Sequence, residues 1–78
     1  METYIATFFS HFGAIRFNKQ LKAMGVNGTL MPVPRKVSSS CGTCVRFEAA
    51  DLPILSEEDV EHLFRQTDGG YEMIFSNI

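Results

Sequence analysis

Basic charge is scarce in this chain, and the patterns that mark nucleotide-binding and hydrolytic enzymes are missing. Seven Lys and Arg residues stand against nine Asp and Glu residues in a chain of 78, which gives a net charge of −2. A nucleic-acid-binding protein needs a basic face for phosphate contacts, so this balance argues against that class. There is no glycine-rich phosphate loop, no pair of catalytic carboxylates in a plausible cleft and no Ser-His-Asp arrangement.

Long apolar runs are absent as well. No run approaches the ~20 residues that a membrane-spanning helix needs. The first residues, Met-Glu-Thr, lack the basic start and long apolar stretch of a signal peptide. We therefore expect a cytoplasmic protein that is not bound to a membrane. Residues 1–78 should form a single domain, because the chain has no room for a second core. Such a small domain buries only about 60% of its unfolded surface, so self-association would add stability.

Only two cysteines are present, Cys41 and Cys44, and they form a Cys-x-x-Cys pair. In a cytosolic protein such a pair more often serves redox chemistry, metal binding or sulfur transfer than a structural disulfide. The thiolate is the nucleophile and the metal ligand, and nearby cations lower the pKa of a thiol. Arg35, Lys36 and Arg46 flank the pair in sequence. We therefore expect any chemistry of this chain to be sulfur chemistry in residues 35–46, which we call the cysteine segment.

The cysteine pair leaves several readings open. Two sulfurs cannot complete a zinc site within one chain, but a dimer would supply four ligands, and two soft thiolates suit Cu(I). A thioredoxin-type oxidoreductase places its pair at a helix N-terminus, whereas this pair leads into a predicted strand. Cys44 lies within that strand and can be a small packing residue. Cys41 is therefore the better candidate nucleophile, and Gly42 would give access to it. Three serines could donate hydrogen bonds to its sulfur or to a bound anion: Ser38, Ser39 and Ser40.

Periodicity predicts the elements of the first half. Residues 4–9 are aromatic and β-branched, which favours a strand. Ser10 can cap a following helix that ends at Gly25. Residues 29–34 favour a second strand, which should lie at a sheet edge or end early because of its two prolines. The helix carries an apolar stripe at spacings of three and four residues, formed by Ala14, Phe17, Leu21 and Met24.

In the second half, the pattern predicts a strand, a helix and a last strand. Residues 43–48 alternate in polarity, which places Val45 and Phe47 on one face of a half-buried strand. Residues 56–67 start with Ser-Glu-Glu-Asp, a cap followed by acids that suit a helix N-terminus. Residues 71–75 alternate again as a strand, after a break at Asp-Gly-Gly. The inward stripe of this second predicted helix is Val60, Leu63, Phe64 and Thr67.

The resulting order, β-α-β-β-α-β, favours an α+β ferredoxin-like sandwich, an antiparallel sheet with two helices on one face. The other face, which carries Cys44, Arg46 and Glu48, would be open. It is a candidate surface for a homodimer, although a solvated face is the commoner outcome.

In this arrangement we expect the cysteine segment at the sheet edge opposite the start of the first helix. His11 would then lie a strand length, roughly 15–20 Å, from Cys41. A nucleophilic Cys–His pair needs hydrogen-bond contact, so His11 is not expected to act as a base. His62 is expected at the surface or its boundary. Both helix C-termini would point toward the cysteine segment and oppose a thiolate, but the nearby cations should prevail.

Residues 33–42, Val-Pro-Arg-Lys-Val-Ser-Ser-Ser-Cys-Gly, followed by Val-Arg-Phe at 45–47, resemble the signature of the selenium/sulfur carrier protein-like family. These are small bacterial domains, and the resemblance covers nearly the whole chain. Some relatives are joined to a TusA-like (SirA-like) sulfur-transfer domain in proteins assigned to selenium metabolism. The resemblance implies that Cys41 carries sulfur or selenium. Cys44 departs from the family pattern, in which this position is commonly apolar or small.

Two hypotheses from different classes follow. In the first, Cys41 holds a persulfide or selenopersulfide, Arg35 and Arg46 favour the anion, and Cys44 releases the cargo by closing a disulfide. Such a carrier needs no cofactor. Its partners would be a donor such as a cysteine desulfurase and an acceptor such as a TusA-like protein. In the second hypothesis, the chain is a dimeric binding or regulatory module without turnover, with a soft metal held by both cysteines. A purely structural interaction domain with incidental thiols is a third reading.

Overall fold

The computed structural model describes residues 2–37, 42–50 and 59–77. Their strands form one antiparallel sheet in the order β2-β3-β1-β4-β5. The α+β class is therefore confirmed, but the described residues contain one helix where the sequence predicts two. The elements are β1 (Glu2–Phe8), α1 (His11–Ala23), β2 (Gly28–Pro32), β3 (Thr43–Ala49), β4 (Val60–Thr67) and β5 (Gly70–Ser76).

Helix α1 begins and ends where its sequence predicts. Ser10 is extended, with φ −144° and ψ 156°, and its hydroxyl accepts a hydrogen bond from the amide of Gly13 at 3.1 Å. This bond satisfies one of the orphan amides of the first turn. Gly25 adopts a φ of 78°, a conformation that suits glycine and stops the helix. Met24 is exposed, so its predicted place in the apolar stripe is wrong, because the helix has ended before it.

The helix packs on one face of the sheet, which we call the α1 face, and forms the main core there. The ring of Phe17 lies 5.1 Å from the ring of Phe8 and 5.8 Å from the ring of Phe47, measured between centroids. Tyr4 stacks on Phe47 from the neighbouring strand at 5.4 Å. All four rings are buried, and such side chains provide most of the hydrophobic stabilisation of a small domain.

The opposite face, which we call the second face, is only partly open. Cys44 is 0% exposed there, and Val37 from the segment after β2 is 6% exposed. The segment after β2 lies over this face, because residues 34–36 line one groove together with the β4–β5 hairpin. Arg46 and Glu48 remain exposed and form an ion pair at 3.8 Å. The predicted exposure of this face is thus confirmed for Arg46 and Glu48, and it is wrong for Cys44, which is buried.

The predicted second helix is wrong, because Val60–Thr67 is strand β4. Residues 56–58, which carry the predicted cap, lie outside the described residues. β4 pairs with β1 on one side and with β5 on the other, so its backbone hydrogen bonds are formed across the sheet. Its apolar residues recur at helical spacing, but the pairing on both sides overrides this local preference, and the strand accommodates the spacing through irregularities of register on both sides. The Asp-Gly dipeptide at 68–69 is the turn of the β4–β5 hairpin, a signal that favours two strands.

No helix within the described ranges has the length and apolar content needed to cross a bilayer.

Candidate functional site

The cysteine segment enters the sheet beside the N-terminus of α1. β3 runs antiparallel to β1, so Cys44 near the start of β3 pairs with Thr7 near the end of β1. The helical crossover from β1 to β2 makes these two strands parallel, and the connection from β2 to β3 must therefore lie at the edge where β1 ends. The predicted placement at the opposite edge is wrong for this reason.

His11 is the residue whose role this correction changes most. Its Nδ1 atom lies 3.1 Å from Oγ1 of Thr43, which is two residues after Cys41 in the chain. The predicted separation of a strand length between His11 and the cysteine segment is therefore wrong. Cys41 itself lies outside the described residues, together with Ser38, Ser39 and Ser40.

Hydrogen bonds hold the chain on both sides of residues 38–41. The amide of Val33 donates to the carbonyl of Gly42 at 3.1 Å, and the amide of Val37 donates to the carbonyl of Pro34 at 3.0 Å. Gly42 has a φ of 74°, a conformation that glycine adopts without steric cost. An ideal Cβ built on Gly42 would meet no described atom within 4 Å. Glycine is thus required at this position by its backbone conformation rather than by crowding.

Two of the three cations predicted to support a thiolate lie in the same segment. Arg35 and Lys36 are exposed and follow β2 directly. Arg46 lies further along β3, where the carboxylate of Glu48 faces it. An exposed pair of this kind contributes little to stability, and it offsets part of the positive charge of Arg46.

The dipole of α1 favours a negative charge near the cysteine segment, as the cations of that segment do. The sequence predicts helix C-termini beside the cysteine segment, but the structure places the N-terminus of α1 there. The N-terminus of a helix carries partial positive charge and exposed amides, which stabilise a nearby anion. The sign of the predicted dipole effect is therefore reversed, from opposing an anion to favouring it.

Cys44 lies in the interior of the second face. Its sulfur lies 3.7 Å from the carbonyl oxygen of Pro32, to which the thiol donates. Thiol–disulfide exchange needs an accessible thiolate, so Cys44 would have to leave this position to act as a resolving thiol. In the part of the chain that the structure describes, no three His, Cys, Asp or Glu side chains are grouped to hold a metal ion. These observations favour the reading of Cys44 as a packing residue.

A buried polar cluster beside Cys44 is not predicted by the sequence. The amide of His62 donates to Oγ1 of Thr7 at 3.1 Å, and Oε1 of Glu61 lies 3.5 Å from the same hydroxyl. Glu61 is 3% exposed, which is rare for a carboxylate. His62 is half-buried, at the surface boundary as predicted, and its Nδ1 has no hydrogen-bond partner among the described residues. The sequence does not predict this cluster because it predicts a helix at residues 56–67. A helix would place Glu61 and His62 away from Thr7 of β1, whereas strand β4 lies next to it.

Comparison with known proteins agrees with the signature in the cysteine segment. The sequence model of a family described as "Putative Se/S carrier protein-like" matches residues 3–66, from β1 into β4. No curated protein and no solved structure gives a significant match. The match covers the whole cysteine segment and most of the chain, so the predicted resemblance is confirmed and the chain belongs to the Se/S carrier protein-like family.

Proposed function

We propose that the protein carries one atom of sulfur or selenium on Cys41, as a persulfide or a selenopersulfide. The observation that carries this proposal is the family match, which includes the signature at residues 33–42. The donor would be a protein such as a cysteine desulfurase and the acceptor a TusA-like protein, acting in the cytoplasm, where thiols stay reduced. The protein is thus a carrier rather than an enzyme with its own turnover.

The transfer is an exchange at sulfur. The thiolate of Cys41 attacks the outer sulfur of the donor persulfide, a new S–S bond forms, and the donor S–S bond breaks. The donor cysteine leaves as a thiolate with the electron pair of the broken bond, so no external oxidant or reductant is needed. An acceptor thiolate then attacks the outer sulfur of the Cys41 persulfide in the same way, and Cys41 leaves as the thiolate.

The surroundings of the cysteine segment support a role in holding an anion. Its two ends are held by the hydrogen bonds between Val33 and Gly42 and between Pro34 and Val37. Residue 42 has no side chain to obstruct a partner. The N-terminus of α1 adds positive charge beside Thr43, and the exposed side chain of Arg35 adds a charge on the signature segment itself. Among the undescribed residues, Ser38, Ser39 and Ser40 keep their proposed role as hydrogen-bond donors, and Arg46 is a weaker contributor because of Glu48.

His11 joins the site in this proposal. Its ring is exposed and is oriented by the contact between Nδ1 and Oγ1 of Thr43. When Nδ1 donates to this hydroxyl, Nε2 is left as an acceptor for a thiol proton. An acceptor of this kind would favour the thiolate form of a cysteine within its reach.

The test is mass spectrometry after incubation with a cysteine desulfurase and cysteine. The expected result is an adduct of one sulfur atom on the wild-type protein, which disappears on reduction and is absent from Cys41→Ser. The matched control is Cys44→Ala, which should keep the adduct because Cys44 is buried. Absence of the adduct from the wild type, or its persistence in Cys41→Ser, would refute the proposal. Metal analysis of the reduced protein tests the alternative of a soft metal on Cys41 and Cys44.

A further inference from the structure

β5 (Gly70–Ser76) is the last strand of the sheet, and only its inner side is paired. β4 forms the ladder on that side, and no described residue pairs with the outer side. Every second residue of an edge strand turns its amide and carbonyl away from the sheet, which leaves a template for another strand. In β5 this template is seven residues long.

The two edges of the sheet differ in how they are protected against pairing. β2, at the other edge, is five residues long and ends at Pro32, and Pro34 follows it. Proline has no amide hydrogen, and proline or lysine on an edge strand prevents the pairing of another chain. β5 contains neither residue type and carries two exposed apolar side chains, Met73 and Ile74. The outer side of β5 thus has the composition of a strand that pairs.

Neither internal segment outside the described residues is long enough to pair along this side of β5. Residues 51–58 connect β3 to β4, and the nine steps from Ala50 to Asp59 span about 32 Å at most. A path around β5 would cross six strand spacings, about 29 Å, in addition to the length of the sheet. Residues 38–41 return to Gly42, four spacings or about 19 Å from the outer side of β5. Five steps from Val37 span about 18 Å at most, so a strand that pairs here must come from another chain.

An irregularity in β5 determines the register in which a second copy of this strand would pair with it. Met73 lies opposite Phe64 of β4 and Phe75 lies opposite Leu63, so Ile74 is an extra residue on β5. It shifts the alternation of side chains by one position. Antiparallel pairing about the midpoint between residues 73 and 74 therefore places residues of the same face opposite one another, 72 opposite 75 and 71 opposite 76.

In this register the charges of the two copies do not repel each other. Glu72 is the only charged residue of β5, and Arg65 of β4 forms an ion pair with it. Because Glu72 would lie opposite Phe75 of the second copy, the two Glu72 residues are separated by three positions along the strands, about 10 Å. This distance exceeds the Debye length of ~8 Å at physiological ionic strength. Met73 of each copy would meet Ile74 of the other, which removes apolar surface from water.

We propose that two copies of this chain associate through β5 and join their five-stranded sheets into one antiparallel sheet. The two-fold axis is perpendicular to the sheet between residues 73 and 74, so each copy contributes the same strand. This edge replaces the second face as the candidate homodimer surface, because the segment after β2 covers part of that face. A single strand edge is a small interface, so we expect a dissociation constant on the order of 10–100 μM. The proposal does not depend on Cys41 or on the carrier function.

The test is analytical ultracentrifugation of the reduced wild-type protein at concentrations from about 10 μM to 1 mM. We expect the mass to rise from that of a monomer to that of a dimer. Met73→Lys places a positive charge beside the two-fold axis in both copies and should raise the dissociation constant by about tenfold or more. The matched control is Met24→Lys at the end of α1, since Met24 is 48% and Met73 is 50% exposed. This control should dimerise as the wild type does.

Amide hydrogen exchange of the wild type locates the interface without any substitution. The exchanging amides of β5 should become protected as the concentration rises, and those of β2 should not change. A wild type that stays monomeric at about 1 mM would overturn the proposal. So would a dimer of unchanged strength in Met73→Lys, or protection confined to β2 or to the second face. Loading of Cys41 by the desulfurase is measured separately, so failure of the dimer is distinguishable from failure of the carrier proposal.

Discussion

The two faces of the sheet differ in what they bury. The α1 face buries aromatic rings from two strands and the helix, with Phe17 packed between Phe8 and Phe47. The second face buries fewer rings, with Ile5 and Phe64 as its main apolar side chains, and adds a thiol, a hydroxyl and a carboxylate, those of Cys44, Thr7 and Glu61. Apolar burial stabilises without directional requirements, whereas each buried polar group needs a partner. The α1 face is thus the stabilising core, and the second face is the one that carries polar chemistry beside the signature segment.

The largest stability effect is expected on the α1 face. Phe17→Ala should lower the free energy of unfolding by about 3–5 kcal/mol, because it removes a buried ring that contacts two others. Thermal or denaturant unfolding measures this loss. The matched control is Phe12→Ala on the same helix, since Phe12 is 65% exposed and its ring contacts the guanidinium of Arg16 at 5.0 Å. Its cost should stay below about 1 kcal/mol, and equal costs would contradict the assignment of the core to this face.

A smaller but clear effect is expected on the second face. Thr7→Val keeps the shape of the side chain and removes the hydroxyl that accepts from the amide of His62. We expect a loss of about 1–3 kcal/mol, because the amide loses its partner in the interior. Thr7→Ser, which keeps the hydroxyl, should recover part of this loss. If the valine variant is as stable as the wild type in denaturant unfolding, the polar cluster has no structural role.

The cap of α1 should contribute less. Ser10→Ala removes the hydroxyl that accepts from the amide of Gly13 and should cost about 1 kcal/mol. Ser10→Asp keeps an acceptor at this position and should retain the stability of the wild type. Denaturant midpoints of the three proteins measure the difference. A cost shared by both variants would show that the side-chain cap is not the cause.

The smallest stability effect is expected at His11, where function should change instead. His11→Ala removes an exposed ring with one contact to Thr43, so unfolding should shift by no more than about 0.5 kcal/mol. The rate of alkylation of Cys41 at neutral pH should fall, because a group that favours the thiolate is lost. His11→Gln, which keeps a hydrogen-bond donor and loses the charge and basicity, separates orientation from proton transfer. An unchanged alkylation rate in His11→Ala would remove His11 from the site.

The sequence predicts the first half of the fold well, because each element there has a local signal. Ser10 and Gly25 mark the ends of α1, and the alternation around Val45 predicts which face of β3 is buried. The second half fails at residues 60–67, where the apolar spacing is that of a helix and the strand departs from strict alternation. The Asp-Gly turn at 68–69 favours a hairpin and is the signal that could have corrected the assignment.

Some features of the candidate site are likewise predicted from the sequence, and others depend on the fold. The cysteine pair, its flanking cations and Gly42 follow from the sequence, and so does membership of the family. The contact between His11 and Thr43 does not, because it depends on which sheet edge holds the connection between β2 and β3. That edge is decided by the direction of β3 relative to β1. The sequence-based expectation puts this connection at the other edge, and for that reason its distance from His11 and its sign for the helix dipole effect are both wrong.

The sequence alone determined where α1 starts and stops, that Val45 and Phe47 of β3 face the core, and which segment contains the cysteine pair, because these depend on neighbouring residues. Only the tertiary structure decided that residues 60–67 form a strand, that Cys44 is buried, and that Arg35 and Lys36 face the β4–β5 hairpin across a groove. Each of these results depends on contacts between residues that are far apart in the chain. Their energies come from pairing and packing across the sheet, which local preference does not record.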